Sequence, residues 1–174
     1  MGSARPFSDV KLFCGVIFAA EADCQRAREA LAGLFSPIDF ASAAFPFTET
    51  DYYQAEMGGP LCRRFFAHAA LIRPERLPQI KRQTNRLESE MSVAGRRLVN
   101  LDPGYLSESN VIIATVKNHY HRVPLGLGIY GHIEYVFRNR RLEALEWTYP
   151  DFRGDAYRAF FLELRRRYMA GRGR

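Results

Sequence analysis

Asn100, Asp102, Tyr105, Lys117, His121 and Arg122 are the residues of this chain whose types best suit chemistry on a small charged molecule. Asp and His can take and give protons, and Lys and Arg can hold a phosphate or carboxylate. Lys117 is one of three lysines among 25 basic residues, so a lysine kept in an arginine-rich chain suggests a point charge or a tunable amine. Lys117 and His121 are four apart and share a face if their strand is regular. Asp102 stands before Pro103-Gly104, where a turn would display its carboxylate.

Three further groups carry candidate chemistry. His119, His121, His132 and Glu134 flank Gly126-Leu127. With that pair as a two-residue type II′ loop, His121 faces His132 and His119 faces Glu134, a possible ligand set for zinc or iron. A three-residue loop would send the two pairs to opposite faces. Asp51 and Glu56 in the loop DYYQAEMG are a candidate carboxylate pair, beside a stripe of Lys81, Asn85 and Glu88 expected on an exposed helix face. Trp147 and Tyr149, next to Pro150, suit stacking on a ligand or plugging the sheet end, and Tyr130 in GLGIY joins them as a candidate contact. Two-histidine phosphodiesterase chemistry needs two H-x-[ST] motifs, and no His here is followed by Ser or Thr two residues on.

These residues need a scaffold, and hydrophobic periodicity supplies one. KLFCGVIF (11–18) reads as a buried strand. Cys24, Ala27, Leu31 and Leu34 fall at helical spacing until Pro37. Residues 38–47 look extended, and CRRFFAHAALI (62–72) is strand-like. Pro74 opens a second helix with Leu77, Ile80, Thr84, Leu87 and Met91 on one face. Residues 97–101 form a strand ended by Asp102-Pro103-Gly104. The order is βαββαβ, so the expected class is α+β: a ferredoxin-like split βαβ core. An antiparallel β-meander (111–116, 121–125, 129–137, 142–147) extends it, followed by a C-terminal helix bearing Tyr157, Phe160, Phe161, Leu164 and Tyr168. The expected organisation is a flexible start at 1–10, one domain at 11–168, and an Arg/Gly-rich tail at 169–174.

KLFCGVIF, DYYQAEMG, KRQTNRLE, RLVNLDPGYL, His121-Arg122, GLGIY and WTYPDFR together resemble a bacterial family of uncharacterised proteins, domain of unknown function 4416. The resemblance runs from about Lys11 to Tyr168 and implies a small bacterial cytosolic protein, with no established activity. His119, His132 and the arginine-heavy end depart from the family pattern. No G-x-x-x-x-G-K-[ST] occurs, so the chain carries no P-loop motif.

Composition agrees with one domain. The chain has 174 residues, 47% of them hydrophobic and 25% charged, with no apolar run long enough to span a bilayer. Cys14, Cys24 and Cys62 form no C-x-x-C pair, which fits a reducing, cytoplasmic setting. Residues 157–174 hold six arginines against Glu163, a net +5 of the chain's +6. The leading expectation is a small-ligand protein, enzyme or not, for an anionic metabolite. In it Lys117 and Arg122 hold the anion, Asp102 or His121 moves protons, and Trp147 or Tyr149 packs the ligand. The cofactor is left unspecified. The alternative is an RNA- or ribosome-associated module that uses the basic C-terminal segment.

Overall fold

The computed structural model describes residues 2–48, 53–139 and 141–172. It is a mixed α/β structure built on one antiparallel, open sheet. The strands are β1 (Val10–Phe18), β2 (Ile38–Ala41), β3 (Phe45–Pro46), β4 (Cys62–Ile72), β5 (Val99–Leu106), β6 (Asn110–Thr115), β7 (Val123–Gly126), β8 (Ile129–Arg138) and β9 (Arg141–Ala144). The helices are α1 (Glu21–Leu34), the single turn α2 (Gln54–Met57), α3 (Leu77–Glu90) and α4 (Asp155–Arg172). Strand order is β2-β4-β1-β5-β6-β8-β7, with β3 beside β4 and β9 beside β8.

β1 lies at the centre of the sheet's first half and every residue in it is buried, which explains its unbroken apolar run. On one face, Cys14, Val16 and Phe18 pack with Cys24, Ala27 and Leu31 of α1 and Leu101 of β5. On the other, Phe13 and Phe65 meet Phe160, Phe161 and Leu164 of α4. The Phe65 ring lies edge-on to Tyr157 at 4.9 Å and stacks with Phe160 at 5.1 Å. These aromatic contacts fix α4 over the sheet. The helix runs on through Arg172, so 169–172 of the expected tail are helical. No described helix is long and apolar enough to cross a membrane.

Two turn expectations are corrected. Asp102-Pro103-Gly104 is not a turn: β5 runs straight through it, pairing Gly15↔Asp102, Cys14↔Pro103 and Phe13↔Gly104 with β1. Pairing with β6 starts only at Gly104↔Ile113. Pro103 has no N–H to offer and sits where that ladder stops, as proline in a sheet must. At the hairpin, Gly126 pairs with Ile129, which leaves Leu127 and Gly128 as the central residues, at φ 57° and 75°. That is a type I′ turn rather than the II′ turn centred on Gly126-Leu127. β7 starts at Val123, so His119 and His121 lie before the strand, in a turn where the Arg122 N–H donates to the His119 carbonyl at 3.0 Å. The last expected strand, 142–147, is shorter as β9 and gives way to a turn at Trp147.

Gly104 permits the close approach of β6. A Cβ there would lie 2.4 Å from the Ile112 carbonyl oxygen and 2.6 Å from the Phe13 ring. Gly104→Ala is therefore expected to destabilise the fold by about 2 kcal/mol or more, as overpacking against backbone does. Urea unfolding measures it, and a change below about 0.5 kcal/mol would contradict this packing.

Candidate functional site

Where β5 and β6 part company, a hollow of about 340 Å³ opens. Asp102 of β5 lines one side, and Ala114, Thr115 and Lys117 at the end of β6 line the other. Phe47, Tyr53, Tyr149 and Phe152 supply aromatic walls. Its charged floor is Arg63 with Asp151 and Asp102.

Arg63 organises this floor. On β4 it alternates with Phe65 and Ala67 and so faces α4, and only 5% of it is exposed. Its Nη1 donates to Asp151 Oδ2, and Nη2 reaches Asp102 Oδ2 at 3.3 Å. The guanidinium also lies 4.8 Å from the Phe47 ring centre and 5.3 Å from that of Phe152. Burial works against its charge, but Asp151 and Asp102 more than offset this and hold its pKa up. Burial pushes the Asp151 carboxyl above the usual range, against the pull of Arg63.

A second layer positions Asp102. Asn100 Nδ2 donates to Asp102 Oδ2 at 3.0 Å, and Lys81 Nζ lies 3.8 Å from Oδ1. Lys81 Nζ also donates to the Leu101 carbonyl at 2.7 Å, and the Leu101 N–H donates to Glu88 Oε1 at 2.6 Å. Lys81 and Glu88 are therefore buried, not on an exposed helix stripe as expected, because both reach the one stretch of β5 that lacks a β6 partner. Burial lifts the Glu88 carboxyl to about 7, against Lys81 and the Leu101 N–H.

A third group stands beside the hollow. The Tyr149 ring stacks on His132 at 4.6 Å, and the His121 ring on Trp147 at 5.1 Å. His121 Nε2 lies 3.1 Å from His132 Nδ1, and His119 Nδ1 lies 3.0 Å from His121 Nδ1. His132 Nε2 faces Glu134 Oε1 at 3.2 Å, and both side chains are fully buried. A register shift in β8 between the pairs Val111↔Tyr135 and Ile112↔Ile133 makes Glu134 the extra residue. Its Oε2 accepts the Tyr149 N–H at 3.1 Å, and burial raises its pKa. Arg122 clamps the rim: Nη2 donates to the Tyr149 hydroxyl at 2.7 Å, Nη1 to the Lys117 carbonyl at 2.7 Å, and Nε to His132 Nδ1 at 3.2 Å. Burial, with His132, His119 and Arg122 nearby, lowers the His121 pKa.

The expected residues divide accordingly. Asp102, Lys117 and Tyr149 line the hollow, Asn100 backs Asp102, and Arg122 holds the rim. His121 and Trp147 form the neighbouring stack, with the Trp147 Nε1–H given to the Ile133 carbonyl at 3.0 Å. Tyr130 pairs with Thr115 but is not among the described lining residues. Tyr105 belongs to the opposite sheet face, packed with Leu12 and Ile80, because it is three residues from Asp102 on an alternating strand. Glu56 is turned to Arg97, which donates to its two oxygens at 2.8 and 2.5 Å. Asp51 lies outside the described residues. Of the expected pairs, His121 does meet His132, at 3.1 Å, but from the turn before β7 rather than from an adjacent strand, and His119 meets His121 instead of Glu134, so the four side chains form a file. Among the described residues, no group of three His, Cys, Asp or Glu has metal-holding geometry. Sequence reading missed Arg63 and Asp151; a charged residue in phase with Phe65 and Ala67 was the available signal for Arg63.

A compact α/β domain with a polar-floored hollow at a strand parting is the class these features define. The chain belongs to the family described as domain of unknown function 4416 (DUF4416), whose model matches residues 8–168. No curated protein and no solved structure matches it.

Two outcomes test the floor. Arg63→Met leaves two poorly solvated carboxylates and is expected to cost about 3–5 kcal/mol in chemical unfolding; a cost under about 1 kcal/mol would contradict the burial of an ion triad. Glu88 has a folded pKa above its unfolded one, so its contribution is full below about 4.5 and fades as pH rises towards about 7. Relative to wild type, Glu88→Gln should thus gain stability between pH 4 and pH 8. A pH-independent difference would contradict the assignment.

Proposed function

We propose that this protein binds a small metabolite that combines a flat apolar body with a phosphate or carboxylate, in the hollow between β5 and β6. The observation that carries the reading is the convergence of Asp102 and Lys117 with aromatic walls on one concavity at strand ends. Tyr53, Tyr149 and Phe152 suit the body of the ligand. Lys117 at the mouth suits its anionic group. Arg63 contributes less to anion binding than its charge suggests, since Asp102 and Asp151 already compensate it. Asp102, positioned by Asn100 and Lys81, is the group placed to accept a proton from the ligand should a reaction follow. His121 takes no part in that step in this reading, because it stands behind Tyr149 and His132.

The scaffold reading is also ours. β1-α1-β2-β4-α3-β5, with the order β5-β1-β4-β2 and all neighbours antiparallel, supports a ferredoxin-like split βαβ core extended by β6 to β9. The free thiols of Cys14, Cys24 and Cys62 support a reducing, cytoplasmic setting. The RNA-binding alternative draws less support. Arg165 is held by the Glu108 carbonyl and Arg172 by the Glu108 carboxylate, while Arg166 and Arg167 share Glu163 of their own helix, which offsets part of the segment's charge.

Thermal-shift and calorimetric titration with phenyl phosphate, benzoate and inorganic phosphate tests the proposal. Phenyl phosphate is expected to bind most tightly, and Lys117→Ala to weaken it about tenfold or more while the circular dichroism spectrum of the folded chain is retained. Equal binding by wild type and Lys117→Ala, or no binding by any of the three probes, would overturn it.

A further inference from the structure

The file of side chains from His119 to Glu134 has one consistent proton arrangement, and it starts at Arg122. The Arg122 Nε–H is an obligatory donor and is aimed at His132 Nδ1 at 3.2 Å. His132 Nδ1 must therefore carry a lone pair, which puts the imidazole proton on Nε2, facing Glu134 Oε1 at 3.2 Å. His121 Nε2 lies 3.1 Å from the same unprotonated His132 Nδ1, so it is the donor and shares that nitrogen's single lone pair with Arg122. Neutral His121 is then left with its lone pair on Nδ1. That nitrogen points outward, 3.0 Å from Nδ1 of the exposed His119. Stacking on Trp147 holds the His121 ring in this orientation.

The geometry points to a two-histidine site for an imidazole-binding divalent transition metal, held by Nδ1 of His119 and Nδ1 of His121, with Zn(II) as the probe. Two nitrogens bound to one such ion at ~2.0–2.1 Å stand about 2.9–3.3 Å apart for right-angle to tetrahedral geometry, and the observed 3.0 Å falls within that range. On binding, the ion takes the place of the proton that neutral His119 holds on Nδ1 towards His121; that proton moves to His119 Nε2 through solvent, so both imidazoles stay neutral and no net proton is released. His132 and Glu134 are positioning residues: His121 Nε2–H is given to His132, and Glu134 Oε1, 3.2 Å from His132 Nε2 though not in hydrogen-bond alignment, favours the proton on that nitrogen, an outer support of the kind that orients a metal-binding imidazole. His121 presents Nε2 to His132 and Nδ1 to His119, so His132 stands behind the ion and does not ligate it. Two protein ligands leave positions for water or for an anionic group. The same 117–122 segment brings Lys117 to the hollow, yet the site stands whatever the hollow holds.

Isothermal titration of the tag-free full chain with Zn(II) at pH 7.5 tests this, with Ni(II) in parallel. One equivalent is expected to bind. His119→Ala and His121→Ala, both outside the buried core, should each weaken binding at least tenfold with an unchanged circular dichroism spectrum. His132→Gln and Glu134→Gln should weaken it about 10–100-fold while leaving one equivalent bound. Failure of either buried variant to fold is bypassed by Arg122→Gln, which removes the donor that fixes the tautomers and should also weaken binding. Absence of Zn(II) binding, or binding equally tight in His119→Ala, would overturn the assignment. Undiminished affinity in both His132→Gln and Arg122→Gln would overturn the supporting file.

Discussion

A guanidinium kept out of water between two carboxylates is the constraint around which this structure is arranged. Arg63 comes from β4, Asp102 from β5, and Asp151 from the turn after β9, so one ion triad joins three distant stretches of chain. Such a triad is expensive to assemble and contributes little net stability compared with apolar packing. Its geometry is nonetheless demanding, because losing one partner leaves an uncompensated charge. The aromatic rings of Phe47 and Phe152 against the guanidinium close its remaining sides. The cluster lies at the bottom of a hollow rather than in a sealed core, which agrees with the binding role proposed above, where polarity is kept at some cost to stability.

The hollow follows from the backbone. Pro103 cannot extend the β5–β6 ladder, so the two strands separate beyond Gly104 and Ile113. The backbone groups of β5 freed there are taken up by Lys81 and Glu88 from α3. This explains two charged residues in the interior of an otherwise amphipathic helix, and it couples the pose of Asp102 to α3 packing. On the far side, Arg122 ties the rim to Tyr149 and to His132. The hollow and the histidine file therefore share a wall without sharing reacting groups.

Much of the scaffold was legible in the sequence. β1, α1, β4 and α3 follow from a buried apolar run, two helical periods and a strand rich in Phe, since burial imposes those patterns directly. The Asp-Pro-Gly turn was misread because local turn chemistry gave way to pairing with β1, a partner nearly ninety residues away. The hairpin turn was placed one residue too early because Leu127, a residue poorly suited to positive φ, occupies the first central position. Asp102, Lys117 and Tyr149 were found as polar or aromatic residues near strand ends. Arg63 and Asp151 were not, because an ion pair between residues 88 positions apart leaves no spacing to read. Lys81 and Glu88 had the right spacing for a stripe, but only the fold shows that the stripe faces β5.

The account stands on the hollow being the place where a ligand enters. The most direct test is a set of two-dimensional ¹H–¹⁵N NMR spectra of the full chain titrated with phenyl phosphate. The account predicts saturable shifts at the amides of Asp102, Lys117, Tyr149 and Asp151, with the α4 arginine segment unmoved. Shifts centred on α4 or spread evenly over the surface would contradict it, as would a spectrum that does not change.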